Sequence, residues 1–398
     1  MYLTSAPNHF PLRIGFFSDV YAPQINGVAV SVQLMAHSLR AAGHEVTIFA
    51  PRFPGYRDTE AGIYRLPAVR YMRQPPIYLA MPGTPRSLLA LRRHRFDVLH
   101  VHTPLSLGLL AYLSAHFKHV PLVYTYHTAI ADYTHYLKGI GQTRPVKQAA
   151  RRFSAATCNV SDHVVVPSAK FERVLREQNV RRPIHVIPGG IDLEHFYEPP
   201  ASPGLFRQQL GLAPDAPMLV SVGRLAPEKK LDFLIEAFAR LAASRPDAHL
   251  VFAGDGSSRL ALEKQAAESG CAGNIHFLGM VNRADLPGLL HDADLFLSAS
   301  TTETQCLAMV EAIAAGLPVV AVRDPAFEGI LADGVNGRIT SRDAEPFSAA
   351  VGNLLADGPA RQSFSRASVE LSRKFSMEAQ TASLVGLYRD AVGAVLQE

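Results

Sequence analysis

Cysteine is scarce: Cys158, Cys271 and Cys306 are the whole supply in 398 residues. Three thiols so scattered build neither a disulfide framework nor a zinc cage. Long apolar runs are missing as well. Although 48% of the residues are hydrophobic, no stretch approaches the ~20 consecutive apolar residues that cross a bilayer as a helix. The opening residues, MYLTSAPNHFPLRIGFFSDV, lack a basic start followed by an apolar segment and a small-residue cleavage site. Nothing there signals export, and the cytoplasm is the expected compartment. Acidic side chains are the third scarcity, confined to one half. Residues 1–190 hold 22 Lys+Arg against 9 Asp+Glu, a net of +13, and the remainder is net −9. Two acid-free runs concentrate the excess: Arg65, Arg70, Arg73, Arg86, Arg92, Arg93 and Arg95, then Lys138, Arg144, Lys147, Arg151 and Arg152. Such asymmetry marks either a solvated basic face or a surface that meets anions, whether lipid headgroups, phosphates or nucleic acid. No RNA- or DNA-reading motif accompanies the charge, so nucleic acid is not an expected partner.

What is present is a repeated rhythm. In the first half LRIGFFS, HEVTIFA, FDVLHVH, VPLVYTY, DHVVVPS and IHVIPGG read as strands, separated by helical segments such as GVAVSVQLMAHSLRAAG, LSLGLLAYLSAHF and SAKFERVLREQN. Short apolar strands with helical crossovers imply a parallel sheet covered on both faces. The rhythm breaks at GGIDLEHFYEPPASPGLFRQQLGLAPDAP. It restarts with the strands MLVSVGR, AHLVFAGDG, NIHFLGM, ADLFLSAS and LPVVAV. The expectation is an α/β chain of two Rossmann-like, doubly wound domains, residues 1–192 and a second from 193, facing a central cleft. Ligands of open α/β sheets sit beyond the carboxyl ends of the strands.

The candidate site residues lie at those strand ends. Asp19 follows the first strand, and Gly27 opens the next helix, where backbone N–H groups and the helix dipole favour an anion. His127 follows YTY in the basic half. Arg224 and Lys229 sit on the loop after SVG and before a helix, two cations suited to a diphosphate. Gly254-Asp-Gly256 lacks the third glycine of a dinucleotide fingerprint and is set aside. Asp292 and Asp294 read as a helix end followed by a strand rather than as metal ligands. In STTETQCLAMVEAIAAG, Glu303 precedes a helix and Glu311 lies inside it. Eight residues of helix span roughly 12 Å, too far for both carboxylates to grip one atom. They suit the two ends of an elongated ligand, with the N–H groups of Thr304, Gln305, Cys306 and Leu307 between them. A nucleotide sugar has that layout; the alternative is one exposed and one helix-capping glutamate.

Together PQINGVAVSV, HTPLSLGLL, YTYHT, VPSAKF, IHVIPGGID, GRLAPEKKLDFLIEAF, FAGDG and ETQCLAMVEAIAAG, in this order, resemble the retaining glycosyltransferases of the GT-B fold with a Glu-x7-Glu signature. The resemblance covers essentially the whole chain. It implies that Glu311 holds the donor's ribose and Glu303 the transferred sugar. Arg224 and Lys229 would bind the diphosphate, Gly27 would approach it, and His127 would contact the sugar near the reacting carbon. It also implies a nucleotide sugar, such as UDP-glucose, as substrate, with no metal and no cofactor. A second domain of 193–375 and a final helix, 376–398, crossing back onto the N-terminal domain complete the expected plan. ETQ, YHTAIADYTHYL and PQINGV look most like the diacylglycerol glucosyltransferases, peripheral enzymes of the inner face of the cell membrane. A soluble acceptor, either a sugar phosphate or a polysaccharide, is the alternative, followed by a non-catalytic sugar-binding protein. VRYMRQPPIYLAMPGTPRSLLALRRHRF interleaves arginines with apolar residues, a composition suited to an anionic bilayer. Cys306 departs from the pattern, standing where lipid-transferring relatives carry glycine and adding bulk beside the expected sugar or phosphate. Lys230 likewise replaces a glycine.

Overall fold

Runs such as Val98–Val101 and Val319–Val322 are buried at every position, which only a strand covered on both faces achieves. The computed structural model describes residues 10–24, 26–72, 77–81, 83–127, 143–200, 202–300 and 303–395. Contacts divide the chain into two units. One joins the residues up to Gly190 with those from Met377 onward, and the other is Ile191–Ser376.

The first unit contains β1 (Arg13–Phe17), α1 (Gly27–Ala41), β2 (Glu45–Pro51), β3 (Ile63–Leu66), β4 (Ala68–Met72), β5 (Ile77–Ala80), α2 (Pro85–Arg93), β6 (Val98–Val101), α3 (Ser106–Lys118), β7 (Leu122–Thr125), α4 (Arg144–Asn159), β8 (His163–Val166), α5 (Ala169–Glu177) and β9 (Ile184–Val186). Seven strands form one sheet in the order β3-β2-β1-β6-β7-β8-β9, and β4 pairs with β5 as a separate two-stranded ribbon. The strands of the large sheet pair in parallel. One face packs against Leu91 of α2, Leu107, Leu110 and Ala111 of α3, Cys158 of α4 and Phe171 and Leu175 of α5. The other packs against Val32, Met35 and Leu39 of α1 and against Leu384, Leu387 and Tyr388 of the C-terminal helix Met377–Val395.

In the second unit β10 (Met218–Val222), β11 (His249–Ala253), β12 (Ile275–Gly279), β13 (Leu295–Ser298), β14 (Val319–Val322) and β15 (Gly337–Thr340) give the order β12-β11-β10-β13-β14-β15, again all parallel. Each sheet grows outward from its first strand and then reverses, between β1 and β6 and between β10 and β13. The neighbouring loops diverge at such a reversal and leave a crevice at the strands' carboxyl ends.

Both halves of the expected doubly wound plan are present. Strands β3, β4 and β15 were not legible as apolar runs, being short and interrupted by Arg65, Arg70 and Arg338, and β5 is an apolar run of only four residues, IYLA. Arg65 is not part of a solvated face: its guanidinium bonds Asp58 at 2.6 Å and the carbonyls of Pro51 and Ala22. Arg73 and Lys138 of the basic runs, and all of AIADYTHYL, lie outside the described residues. No described helix is long and apolar enough to cross a membrane.

Tyr388 ties the C-terminal helix to the sheet. Its hydroxyl meets His100 Nδ1 at 2.5 Å, and His100 Nε2 meets Thr125 Oγ1 at 2.6 Å, all three side chains being buried. Tyr388→Phe strands a buried ring nitrogen without a partner, so it is expected to cost about 1–3 kcal/mol, read as a lowered denaturant midpoint.

Candidate functional site

The crevice of the second unit is built from two loops. After β10 the chain runs through Gly223, Arg224 and Leu225 into a 3-10 turn, Pro227–Lys229. After β13 it runs through Ala299 and Ser300 to Glu303 and the helix Leu307–Ala314. Between them lies a cavity of ≈ 230 Å³ lined by Gly223, Arg224, Lys229, Ser300, Glu303 and Gln305, with Cys306 and Leu307 at the helix start. The first loop is locked in place by glycines. Gly223 and Gly254 have φ of 143° and 144°, and a Cβ on Gly254 would lie 1.9 Å from the Gly223 carbonyl oxygen. Gly223 N donates to Ala253 O and Leu225 N to Asp255 O. The glycines of AGDG therefore serve close approach of two loops rather than a dinucleotide.

Lys229 Nζ donates to Glu303 Oε1 at 2.5 Å, inside the cavity wall. Arg224 stands largely in solvent and bonds Glu228 Oε1 at 2.6 Å, an i, i+4 partner that carries no motif of its own. Lys230 holds a left-handed backbone with φ 53°, the conformation glycine adopts without strain. Thr304 is half-buried in the turn between Glu303 and the helix. The helix begins without a side-chain cap and without an acidic residue in its first turn, so its N–H groups keep their dipole for a ligand. Cys306 packs into the core with Met309 and Val310. Burial pushes its thiol up to about 12, so it is an inert wall rather than a nucleophile.

Glu311 lies one helical turn further, 6% exposed, among Met309, Val310, Ala312 and Ile313, each fully buried. Among the described residues, Arg283 Nη1 meets its Oε1 at 3.2 Å, from a side chain that is itself 65% exposed. Burial drives the Glu311 carboxyl above the usual carboxylate range, against the pull of Arg283. A buried carboxylate with one loosely held partner retains unused acceptor capacity. Asp292 and Asp294, by contrast, are fully employed. Asp292 accepts from Gly204 N and Phe206 N, and Asp294 accepts from Arg207 Nη2 and Met218 N.

Asp19, Gly27 and His127 belong to the first unit. Asp19 is 1% exposed. Its carboxylate accepts from Ser106 Oγ at 2.5 Å, Thr103 Oγ1 at 3.1 Å and Leu107 N at 3.1 Å, capping α3. Those bonds turn the Asp19 carboxylate toward the start of α3. Gly27 starts α1, whose Asn26 cap accepts from Ala29 N. A Cβ there would meet nothing within 4 Å and its φ is not positive, so neither packing nor backbone demands glycine. His127 Nε2 lies 3.0 Å from Nδ1 of His102, a neighbour passed over in the sequence although HVH places His100 and His102 on one face of β6. Burial lowers His127 to about 4 and His100 to about 3, so His127 acts as a neutral hydrogen-bonding group.

Family models describe both halves of the chain. Residues 25–195 match "Glycosyltransferase Family 4" and residues 204–370 match "Glycosyl transferases group 1". The chain is 32% identical over 345 residues to the Alpha-monoglucosyldiacylglycerol synthase of Acholeplasma laidlawii, spanning 84% of this chain and 86% of that one. It is 32% identical over 336 residues to the Streptococcus pneumoniae protein of the same name, spanning 82% and 75%. The crystal structure of Anabaena Alr3699/HepE in complex with UDP and glucose matches with a TM-score of 0.73 and 19% identity over 95% of this chain and 100% of that one, a likeness of fold. The class is thus a glycosyltransferase of the GT-B fold. Within it, the chain belongs to the group 1 glycosyltransferases.

The buried carboxylate yields a test. Folding makes Glu311 hold its proton more tightly, so its contribution to stability is fully present below the ordinary value of 4.5. It is lost as pH rises through the shifted value. Glu311→Gln is therefore expected to stabilise the fold at pH 7.5 by about 1 kcal/mol. The gain should shrink as pH falls toward 4.5, measured by urea unfolding across that range.

Proposed function

We propose that the protein transfers a hexose, glucose first among candidates, from a UDP-linked donor to a membrane lipid such as diacylglycerol. The anomeric configuration would be retained. The observation that carries the donor side is Glu311, a buried carboxylate with spare acceptors on the helix whose start, Cys306 to Ala308, lines the cavity at the strand-order reversal. Its carboxylate would take the ribose hydroxyls in place of Arg283. The diphosphate would lie across the uncapped start of the Leu307–Ala314 helix, and Glu303 would bind the sugar's hydroxyls. As the bond between the anomeric carbon and the diphosphate oxygen breaks, negative charge grows on that oxygen. Lys229 and Arg224, the latter leaving Glu228, would offset it together with the helix amides. In the first unit, the family resemblance supports Gly27 against the diphosphate and neutral His127 on the transferred sugar. No covalent nucleophile is assigned. The relatives named Alpha-monoglucosyldiacylglycerol synthase support the diacylglycerol acceptor. The UDP and glucose held by the Anabaena protein support the donor. The basic first unit suits the inner, anionic face of a membrane.

Thermal shift with UDP-, GDP- and ADP-sugars, then mass spectrometry of products formed with diacylglycerol, tests the assignment. Transfer only to sugar phosphates or polysaccharide would refute the lipid acceptor. Arg224→Ala is expected to lower kcat about 10²–10³-fold, and Glu311→Gln to raise donor KM about tenfold. Because these cations stand where a metal would otherwise offset charge, turnover is expected to persist in excess chelator, and a strict metal requirement would contradict the mechanism.

A further inference from the structure

Helix α3 is apolar on both sides. Leu107, Leu110, Ala111 and Ala115 face the sheet core. The opposite side carries Leu105, Leu109, Tyr112, Leu113 and Phe117, all exposed, Leu109 at 55% and Phe117 at 77%. Their spacing, i, i+4, i+7, i+8 and i+12, makes one continuous stripe. A surface helix normally turns a polar face outward, and a contiguous outward apolar face marks a site of association.

The surroundings of the stripe are basic. Lys118 Nζ, in the last turn of α3, donates to Leu91 O at 2.6 Å and His94 O at 2.7 Å. That contact fixes the end of α2, with exposed Arg92 and Arg93, beside the end of α3. On the same side of the sheet α4 exposes Arg144, Arg151, Arg152 and Phe153. None of these arginines is in an ion pair among the described residues. The sole described acid of residues 83–161 is Asp97, which bonds Arg13 at 2.6 Å. An apolar ridge amid cations and almost without acids is complementary to a layer with an apolar interior and an anionic surface.

We propose that the outward stripe of α3 enters the acyl layer of an anionic lipid bilayer, while the arginines of α2 and α4 meet the headgroups beside it. This rests on the lipid-acceptor reading and places bilayer entry on a different element from the arginine-rich 70–96 stretch.

The chain has no tryptophan, so Phe117→Trp supplies its only indole, placed on the stripe and excited apart from the tyrosines at 295 nm. With phosphatidylglycerol vesicles its emission is expected to shift to the blue and to be quenched by brominated acyl chains; with pure phosphatidylcholine it is expected to stay unchanged. Leu109→Gln/Phe117→Gln, two changes on an exposed face, is expected to weaken vesicle sedimentation about tenfold or more. Transfer to detergent-dispersed diacylglycerol should stay within about twofold of wild type, since neither residue belongs to the donor site. Vesicle binding by the wild type with no blue shift, or with no loss in the double variant, overturns the assignment to α3 and leaves the lipid acceptor standing. Wild type that neither sediments with vesicles nor glycosylates diacylglycerol overturns both. A concentration-dependent dimer abolished by the double variant makes the stripe a self-association face and also overturns the proposal.

Discussion

A carboxylate inside the apolar core of a helix is costly unless charge or hydrogen bonds meet it there. Glu311 is such a group. It has fully buried neighbours on either side along the helix and is reached from solvent by Arg283. Arg283 offsets part of that cost without satisfying the carboxylate fully, and a ligand with vicinal hydroxyls would do so better. The strain is local, but it orders the rest of the site. The helix that carries Glu311 begins uncapped at Cys306 and faces the cavity that Lys229 and Glu303 border.

The position of that helix follows from strand order. A parallel sheet that starts at its centre, builds to one side and then to the other leaves a gap between the first strand's loop and the fourth's. In the second unit those loops carry Arg224 and Lys229 on one side and Glu303 on the other. Their chemistry can therefore be opposed across a short span although 74 residues separate Lys229 from Glu303. The glycines at 223 and 254 let one loop lie directly on its neighbour. The backbone is thereby fixed before any ligand arrives.

Much of this was legible in the sequence, because the strands are short apolar runs and the helices amphipathic, and each such run maps onto one element. The cations at 224 and 229 and the acid at 303 stand out by their places at strand ends and before helices, and Glu311 by its charge inside an apolar helix. What escaped notice depends on partners distant in sequence. Arg283 sits in a loop with no local signature, and only folding brings it to Glu311. His102 becomes informative only when β6 and β7 align it with His127. The acceptors of Asp19, conspicuous after strand one, are consumed by the start of α3 some 87 residues away. Exposure was equally hidden. LSLGLLAYLSAHF reads as an ordinary buried helix, since composition does not say which of two apolar faces meets the sheet.

The account stands on Glu311 exchanging Arg283 for a nucleotide's ribose. A crystal structure of the protein soaked with UDP tests this most directly. Electron density with the ribose hydroxyls on Glu311, the diphosphate at the start of the Leu307–Ala314 helix and Arg283 displaced is the predicted result. Nucleotide bound elsewhere, with the Arg283–Glu311 pair intact, would contradict it.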